Sequence, residues 1–336
     1  MPVSVRSFAK INLGLAIGPR RPDGFHGLCT VYQTISLCDL LRVDVQRGVG
    51  IDLRCRDTRV PCDETNTCWR VAERVMRMRK ARSKVSITIE KQLPVQGGLG
   101  AASSNAVATM LALERALNVQ LEPEQRLQIA AEVGSDLPLF LIGGTVLGVG
   151  RGEEVYPLED LPPLPIVIAL PCVGVSTPQA FAAWDAQFGE APKDGEDTGL
   201  TGSAASAKIN TFGQRLFAWL SARLPQAAAG TAAGVPTERG DRVETTLLDL
   251  VRAGIENDFE RVIFPEHPEL RAVKRKLERA GARYASLSGS GSAVYGLFAT
   301  AEKAQAAANS LQADGTTALA GSTLSRREYW RDLFNM

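Results

Sequence analysis

A glycine-rich loop between a strand pattern and a helix pattern places the tightest constraint on what this chain can fold into. Before the loop, Val85, Ile87 and Ile89 alternate with polar residues, which is typical of a half-buried strand. The loop, Pro94–Ser104, contains three glycines, and an alanine- and leucine-rich helix pattern continues from it to about Ala116. Glycines let backbone N–H groups come close together, and a helix start points such groups outward, so the segment predicts a phosphate-binding site.

The same loop has a simpler interpretation, as a glycine-rich turn closed by a serine N-cap at Ser103 or Ser104. Two other phosphate-binding loops are excluded. No Gly-Lys-Ser/Thr sequence ends the loop, so it is not a Walker A motif. The dinucleotide spacing G-x-G-x-x-G fails at its last position, and Glu122 and Glu124 lie in a polar turn that does not suit a ribose ligand. If this loop binds phosphate, it does so in a fold other than those of the Walker A and dinucleotide-binding proteins.

Composition and charge argue against several classes of partner. The 336 residues are 45% hydrophobic and 22% charged, an ordinary globular balance, and the formal net charge is +1. That balance gives no reason to expect nucleic acid or an anionic membrane, and the basic stretch 70–82 is interpreted as the solvated face of a helix. Because no signal peptide and no membrane-spanning apolar run is visible, we expect a cytoplasmic protein.

The cysteines predict neither disulfides nor a metal centre. Six are present without the Cys-x-x-Cys spacing of zinc sites, and His26 and His267 are the only histidines in the sequence. We therefore expect reduced thiols, several of them buried, and no zinc site.

Patterns along the chain predict an α+β protein of two domains. Prolines at 162, 163 and 165 mark a domain change, which gives domains at 1–160 and 161–336. Residues 189–241 are rich in small and acidic residues and are interpreted as a mobile insertion with one helix, Ile209–Leu224. The other predicted helices are Asn66–Arg79, Pro123–Val133, Pro268–Ala280 and Ala301–Gln312, and the other predicted strands are Ser4–Leu15, Tyr32–Val45, Thr145–Val149 with Val155–Leu158, Ile166–Leu170, two in Ala285–Phe298 and one in Thr323–Tyr329.

Three further segments carry residues suited to chemistry. In Ala9–Leu13, alternation puts Lys10 and Asn12 on one face; a strand lysine is usually a solvated edge residue, but this one accompanies a predicted phosphate site. Asp136 precedes an apolar run, either as a helix N-cap or as a general base facing a substrate hydroxyl. Ser286–Tyr295 alternates glycine with serine, either as a hairpin tip or as a loop that brings N–H groups to an anion.

These segments, in this order, resemble the GHMP kinases. The similarity rests on Ala9-Lys10-Ile11-Asn12-Leu13, Pro22-Asp23-Gly24-Phe25-His26, the loop Gly97–Asn105, Gly134-Ser135-Asp136-Leu137-Pro138 and Ser288-Gly289-Ser290-Gly291-Ser292. It covers nearly the whole chain apart from the region around 189–241. It implies an N-terminal domain like ribosomal protein S5 domain 2 and a ferredoxin-like C-terminal domain, with ATP and substrate in the cleft between them.

The pairing of Lys-Ile-Asn-Leu with Asp-Gly-Phe-His narrows the resemblance to GHMP kinases of the non-mevalonate isoprenoid pathway. The substrate that this implies is 4-diphosphocytidyl-2-C-methyl-D-erythritol, phosphorylated by ATP on its 2-hydroxyl. The resemblance implies that Asp136 takes the hydroxyl proton, while Lys10 orients the carboxylate and offsets the charge that develops in transfer. We expect Mg²⁺ to accompany ATP, held mainly by phosphates and water, with Ser104 as a candidate ligand. The residues that the resemblance assigns to ATP are Pro94, Val95, Gln96, Gly97, Gly98, Leu99, Gly100, Ala101, Ala102, Ser103 and Ser104.

The other end of the substrate is assigned in the same way. Asn12 is expected to position the methylerythritol portion. Phe25 is expected to stack on cytosine, His26 to hydrogen-bond it through the imidazole, and Phe181 to cover its opposite face. The remaining residues assigned to substrate are Gly289 and Ser290. We expect a monomer or a weak homodimer whose partners are small molecules.

Four positions depart from the GHMP pattern. Phe25 stands where tyrosine is common, Ala101 and Ala102 where glycine is usual, and Gly27 where a longer side chain is common. These changes bear on how tightly ATP and the substrate bind more than on which reaction is catalysed. Two rival hypotheses remain: a GHMP kinase acting on homoserine, mevalonate or a sugar, and a non-catalytic relative that binds nucleotide. The Asp-Gly-Phe-His sequence argues against the first, and the retained lysine and aspartate argue against the second.

Overall fold

One six-stranded sheet organises the first half of the chain. The computed structural model describes residues 2–188 and 256–335, together with positions 211, 213 and 214. The predicted insertion at 189–241, with its helix Ile209–Leu224, therefore lies outside the continuously described residues. The strands of this sheet are β1 (Val3–Arg20), β2 (His26–Arg47), β3 (Gly50–Cys55), β4 (Ser83–Glu90), β5 (Thr145–Val149) and β6 (Glu154–Pro157). Their order is β3-β4-β2-β5-β6, with β1 paired along β2, and only β3 and β4 run parallel.

Helices pack on one face of this sheet and enclose the first hydrophobic core. They are α1 (Thr67–Met78), α2 (Ala101–Leu117), α3 (Pro123–Val133) and the short α4 (Leu137–Phe140). Helix α1 begins where Asn66 accepts a hydrogen bond from the Cys68 N–H, and its apolar stripe turns inward. Helix α2 is apolar on nearly every side because it is buried along most of its length. Its start is therefore fixed in position by the whole core.

A second sheet of four antiparallel strands forms the other half of the protein. Its strand order is β10-β7-β9-β8. Helices lie between β7 and β8 and between β9 and β10, which gives the β-α-β-β-α-β order of a ferredoxin-like fold, as expected. The elements are β7 (Pro165–Leu170), α5 (Thr177–Phe188), α6 (Glu260–Glu266), α7 (Pro268–Arg279), β8 (Tyr284–Leu287), β9 (Val294–Leu297), α8 (Ala301–Ala313), β10 (Thr317–Ser322) and α9 (Arg326–Asp332).

Strand β1 passes through all three hydrophobic cores of the described protein. Phe8 packs in the first core, beneath the helices of the first sheet. Ile11 and Leu13 lie in the second core, which joins the two sheets. Leu15 and Ile17 lie in the third, between the second sheet and its helices. Both faces of the strand are therefore buried from Ser7 to Ile17, which explains why even its polar residues are enclosed.

The strand predicted in Thr323–Tyr329 is wrong. Strand β10 ends at Ser322, and the helix α9 follows it. Ser325 and Glu328 form a capping box, in which each side chain accepts the backbone N–H of the other residue. This pattern outweighs the local β propensity. Tyr329 then donates a hydrogen bond to the Phe140 carbonyl at 2.7 Å, so α9 packs back on the first half of the protein.

The six cysteines are all unpaired, and Cys29 and Cys68 are buried. Burial raises the pKa of both thiols to about 12, which leaves them protonated at neutral pH. Among the residues that the structure describes, no cluster of three or more His, Cys, Asp or Glu side chains could hold a metal ion. No helix in the same ranges has both the length and the apolar character needed to cross a lipid bilayer.

Candidate active site

Lys10 and Asn12 lie side by side on one face of β1, as their alternation predicts. The Lys10 Nζ donates to the Asn12 Oδ1 at 2.7 Å, and the Asn12 Nδ2 donates to the Thr30 Oγ1 on β2 at 2.8 Å. The lysine side chain is only 4% exposed. A buried ammonium group needs polar partners, so this chain of hydrogen bonds fixes where the charge can sit.

Asp136 supplies the opposite charge. It occupies the N-cap position of α4, but its side chain makes no capping hydrogen bond. Instead its Oδ2 lies 3.4 Å from the Lys10 Nζ, and its Oδ1 accepts from the Tyr32 hydroxyl at 3.2 Å. The Asp136 side chain is 33% exposed. The carboxylate is thus held from the protein side and open on the other, as a general base facing a substrate would be.

Tyr32 is a part of this site that sequence reasoning missed. It pairs directly with Asn12 across the β1–β2 ladder, which brings its side chain to the face that carries Lys10. The Lys10 Nζ lies 5.3 Å from the centre of the tyrosine ring. Burial and the nearby Asp136 carboxylate raise the pKa of Tyr32 well above its usual value. The period-two pattern of β2 was the signal that could have found it, since residues 30, 32 and 34 share one face.

The glycine-rich loop enters α2 through Gly100, which is the N-cap in the left-handed conformation with φ +67° and no side-chain hydrogen bond. The alternative of a serine N-cap is therefore wrong, because Ser103 and Ser104 already lie within the first helical turn. The first N–H groups of a helix have no partner within it. Without a capping side chain, these groups and the positive end of the helix dipole are open to an anion.

A second glycine-rich loop holds the first one in place. The Ser288 Oγ donates to the Gly98 carbonyl at 2.9 Å, and the Ala293 N–H donates to the Gly97 carbonyl at 3.2 Å. Gly98 has φ +72°, and a Cβ built on it would lie 2.0 Å from the Ser288 carbonyl oxygen. Only glycine fits at such a separation. The two loops therefore form one rigid backbone unit that spans both halves of the protein.

A cavity of about 330 Å³ opens beside this unit. Residues 94–103 line it, together with 59–61 and 65–68 and with Lys91 and Asn105. All of the residues that the sequence assigned to ATP face the cavity except Ser104, which is 1% exposed. The Ser104 hydroxyl accepts a hydrogen bond from the Ser7 Oγ at 2.7 Å.

The carboxylate of Asp39 anchors the entry to the phosphate loop, and sequence reasoning missed it as well. It is fully buried and accepts hydrogen bonds from the Gln92 and Leu93 N–H groups at 2.8 Å and from the Asn105 Nδ2 at 3.0 Å. Lys91 forms an ion pair with the same group. Asp39 therefore joins the end of β4, the loop and α2 in one network.

The loop and the charged cluster touch each other directly. The Lys10 N–H donates to the Leu99 carbonyl at 2.9 Å. A Cβ on Gly100 would lie 3.0 Å from the Lys10 Cγ, so the lysine stem packs against the loop backbone. An anion held at the α2 start would consequently lie beside the Lys10–Asp136 pair.

Two of the three residues predicted to bind cytosine, His26 and Phe181, are in direct contact. Phe25 follows the Asp23-Gly24 turn between β1 and β2, is 54% exposed, and has the Arg151 guanidinium 5.1 Å from its ring centre. His26 is buried, and Phe181 of α5 stacks on its imidazole with ring centres 5.2 Å apart. Phe181 also packs edge-on against Phe259, with ring centres 5.0 Å apart. Phe181 therefore lies against His26, and its expected place on the opposite face of cytosine from Phe25 stays a prediction.

Both imidazole nitrogens of His26 face acceptors. Its Nδ1 lies 3.0 Å from the Gly18 carbonyl, and its Nε2 lies 2.9 Å from the Asp185 Oδ1. Asp185 is four residues after Phe181 on α5, so one helix face supplies both contacts. Asp185 was not among the predicted site residues, because no helix was predicted at this position. The His26–Asp185 contact links the β1–β2 hairpin to the second half of the protein.

Gly289 and Ser290 connect the two ends of the site. A Cβ on Gly289 would lie 3.5 Å from the Asn12 Oδ1, so the second loop reaches the charged cluster. The Asn257 Nδ2 donates to the Gly289 carbonyl at 2.7 Å and holds that loop from behind. The Ser290 and Thr177 hydroxyls share a hydrogen bond of 2.8 Å at the start of α5.

Comparison with known proteins agrees with this architecture. The model for the N-terminal domain of GHMP kinases matches residues 66–144, and the model for their C-terminal domain matches residues 243–317. A 4-diphosphocytidyl-2-C-methyl-D-erythritol kinase of Solibacter usitatus is 34% identical, covering 97% of this chain and 91% of its own. Its counterpart in Moorella thermoacetica is 35% identical, covering 92% and 95% of the two chains.

Solved structures extend the comparison to the fold. A 4-(cytidine 5'-diphospho)-2C-methyl-D-erythritol kinase superposes with a TM-score of 0.69 at 28% identity, covering 95% of this chain and 98% of its own. The homoserine kinase of Cytophaga hutchinsonii superposes with a TM-score of 0.66 at 19% identity, covering 96% and 95%, which is likeness of fold alone. The expected two-domain GHMP fold is confirmed. The chain belongs to the GHMP kinases and, within them, to the 4-diphosphocytidyl-2-C-methyl-D-erythritol kinases.

Proposed function

We propose that the protein transfers the terminal phosphoryl group of ATP to the 2-hydroxyl of 4-diphosphocytidyl-2-C-methyl-D-erythritol in the non-mevalonate isoprenoid pathway. One observation carries the proposal. The open carboxylate of Asp136 lies 3.4 Å from the buried Lys10 ammonium, and Lys10 is hydrogen-bonded through its backbone to the phosphate loop at Leu99. A base, a fixed positive charge and an anion site thus meet at one point.

The chemistry follows from that arrangement. As the substrate oxygen bonds to the terminal phosphorus, its proton passes to the Asp136 carboxylate, and the bond from that phosphorus to the ADP oxygen breaks. Lys10 keeps the carboxylate turned toward the hydroxyl and offsets negative charge that develops on the transferring group. Asn12 accepts a hydrogen bond from the Lys10 ammonium, and Tyr32 donates one to the second oxygen of the Asp136 carboxylate. Because both charged groups are already oriented, little rearrangement is needed during the reaction.

The ATP end is assigned to the cavity beside α2. The unpaired N–H groups at its start and the positive end of its dipole suit the phosphates, and the cavity of about 330 Å³ extends from them toward residues 59–68. Ala101 and Ala102 are the first two residues of α2, where helical backbone needs no glycine. The alanines are therefore compatible with phosphate binding to the N–H groups.

The residues present suit a Mg²⁺ ion that arrives with ATP. The described part of the chain contains no cluster of carboxylates around the phosphate loop that would bind the ion without ATP. Mg²⁺ keeps several waters and is commonly held by phosphates with few protein ligands. Ser104 is our candidate ligand, since its oxygen has two lone pairs and the hydrogen bond from Ser7 uses one of them. The residue is 1% exposed and does not line the cavity, so binding the ion requires its hydroxyl to turn toward the phosphates. The ion would supply charge neutralisation on the phosphates.

The cytidine end is assigned to Phe25, His26 and Phe181. Phe25 presents an exposed ring for stacking, and it precedes His26, which contacts α5 in the second half of the protein. A hydrogen bond from the imidazole to cytosine would replace one of its present contacts, and the one to Asp185 is at the half-exposed end. Asn12 and Gly289 lie between the two ends, where the methylerythritol portion would be.

The direct test is ADP release by the purified protein with a panel of 4-diphosphocytidyl-2-C-methyl-D-erythritol, homoserine, mevalonate and galactose. We expect turnover with the first compound, and ³¹P spectra of its product should show the new phosphate on the 2-hydroxyl. Turnover only with homoserine, mevalonate or galactose would overturn the substrate assignment. No turnover with any of them, despite ATP binding, would favour a non-catalytic relative.

Asp136→Asn tests the base. It keeps the shape of the side chain but cannot accept the proton, so kcat should fall by about 10²- to 10⁴-fold with little change in the Kd for ATP. Asp314→Asn is the matched control, because Asp314 also pairs with a lysine, Lys276, at 2.7 Å but on the surface. Near-normal turnover of Asp136→Asn would remove Asp136 from the base role.

A further inference from the structure

We infer that Tyr32 is a positioning residue that fixes the direction in which the Asp136 carboxylate faces the substrate hydroxyl. The inference rests on the proposed function, in which Asp136 is the base. The tyrosine hydroxyl donates to the Asp136 Oδ1 at 3.2 Å, while the Lys10 Nζ faces the Oδ2 at 3.4 Å. Each carboxylate oxygen therefore has its own donor, and the carboxylate plane is held at two points rather than one.

The tyrosine can perform this role because its own ring has no freedom. It is 2% exposed, and two glycines of the β5–β6 hairpin make room for it. A Cβ on Gly148 would lie 2.5 Å from the Tyr32 Cε2, and a Cβ on Gly152 would lie 2.6 Å from its hydroxyl oxygen. On the other side, Tyr32 is paired with Asn12 in the β1–β2 ladder. The same strands therefore place the tyrosine and the lysine relative to each other.

The chemistry of the hydroxyl suits a fixed donor. The charged groups that face it are Lys10 from β1, Asp136 from the start of α4 and Glu153 from the β5–β6 turn. Burial, followed by the charge of Asp136, raises the pKa of Tyr32 well above its usual value. The hydroxyl therefore stays protonated over the whole range in which a kinase is assayed. It cannot compete with Asp136 for the substrate proton.

Two hydrogen-bond donors restrict the rotation of the Asp136 carboxylate, which a single donor would leave free. With Lys10 alone, the carboxylate could rotate about its own axis and still keep the ion pair, because an ammonium group has no preferred plane. The second hydrogen bond removes that rotation. The remaining lone pairs of the carboxylate then point to its exposed side, where the hydroxyl must lie in line with the phosphate. Misplacement of a reacting group by about 1 Å can cost about a hundredfold in rate.

Tyr32→Phe tests the inference, because it removes the hydroxyl and keeps the ring between the two glycines. We expect kcat to fall by about tenfold to a hundredfold, the range that a hydrogen bond to a charged group can produce. The KM values for ATP and for the cytidine substrate should each stay within about twofold.

Tyr329→Phe is the matched control. It also removes a buried hydroxyl, one that donates to the Phe140 carbonyl at 2.7 Å. Phe140 ends the helix α4 that Asp136 begins, so this variant weakens support of the same helix without removing a donor to the Asp136 carboxylate. Both variants should lose some thermal stability, but only Tyr32→Phe should lower kcat while leaving the KM values unchanged. If Tyr32→Phe leaves kcat unchanged, or if Tyr329→Phe lowers kcat as much as Tyr32→Phe does, the inference is wrong.

The outcomes also separate this inference from the proposed function. If Asp136→Asn is nearly inactive while Tyr32→Phe has an unchanged kcat, Asp136 is the base and only the role of Tyr32 fails. If Asp136→Asn stays active, the base assignment itself fails, whatever Tyr32→Phe does.

Discussion

The two ends of the candidate site, which we propose for phosphate and for cytidine, are built in different ways. The proposed phosphate end consists mainly of backbone, where the Ser288 hydroxyl donates to the Gly98 carbonyl and the Ala293 N–H donates to the Gly97 carbonyl. The cytidine end consists of side chains, with Phe25 exposed on a turn and His26 held against one face of α5. The proposed phosphate end depends on glycines that have no side chain, whereas the proposed cytidine end depends on which side chains are present.

This difference follows what each end would recognise. A phosphate group is the same in every nucleoside triphosphate, and backbone N–H groups with a helix dipole are sufficient to bind it. A nucleobase has a flat face and an edge that differ from those of other bases, so aromatic and polar side chains are needed to select it. We therefore expect the phosphate end to be sensitive to added atoms and the cytidine end to removed ones.

Among the changes that test this comparison of the two ends, the largest effect is expected for Gly98→Ala. The new methyl group would lie 2.0 Å from the Ser288 carbonyl oxygen, and alanine disfavours the φ of +72°. The two loops would have to separate, so kcat/KM for ATP should fall by about a hundredfold or more, as for other misplaced reacting groups. Steady-state kinetics with varied ATP would measure this. Gly174→Ala is the control, since a Cβ there meets nothing within 4 Å. Normal ATP kinetics in Gly98→Ala would show that the loop contact does not hold the phosphate site.

A smaller effect is expected for Phe25→Ala, which removes atoms from the proposed cytidine end instead of adding them. Loss of a stacking ring costs about 1–3 kcal/mol per base, so KM for the cytidine substrate should rise by about tenfold, while KM for ATP stays constant. Tyr156→Ala is the matched control, because Tyr156 is 53% exposed and Phe25 is 54% exposed. If Phe25→Ala changes neither KM, or changes the one for ATP, the cytidine end is elsewhere.

The smallest effect is expected for Ala101→Gly, which restores the glycine usual in GHMP kinases. Gly is about 0.5–1 kcal/mol worse than alanine in a helix, and Ala101 is the first residue of α2. Calorimetry should show a melting temperature lower by about one degree, the shift that this energy produces in a protein of this size, and KM for ATP should change by less than about threefold. Ala306→Gly, at an exposed position of α8, should lower stability in the same way. A large gain in ATP affinity from Ala101→Gly would mean that the alanine obstructs the phosphates.

Elements with a strong periodic pattern could be predicted from the sequence. The helix predicted at Asn66–Arg79 occupies Thr67–Met78, and the helix predicted at Pro268–Ala280 occupies Pro268–Arg279. These segments form amphipathic surfaces whose periodicity depends only on neighbours along the chain. The C-terminal strand was predicted wrongly because a capping box at Ser325 and Glu328 starts a helix there.

The site was predictable only where residues near in sequence define it. The pair of Lys10 and Asn12 follows from strand alternation, and the open helix start follows from the glycine-rich loop. Tyr32, Asp39 and Asp185 were missed because each acts on a partner far away in the chain. Tyr32 and Asp136, for example, are separated by 104 positions. No local pattern in one sequence specifies such a contact, since it depends on the register between strands and the packing of α5.

The path of β1 has a consequence for how the protein acquires activity. Lys10 lies on a strand whose neighbours come from the whole chain, and near its start Arg6 donates to the Asp332 carbonyl, 326 positions away. Synthesis proceeds from the N-terminus, so this strand is made long before the residues that enclose it. Contacts of such long sequence separation form slowly, because the intervening chain must be ordered first. The lysine of the candidate site should therefore be among the earliest residues translated and the last to reach its working position.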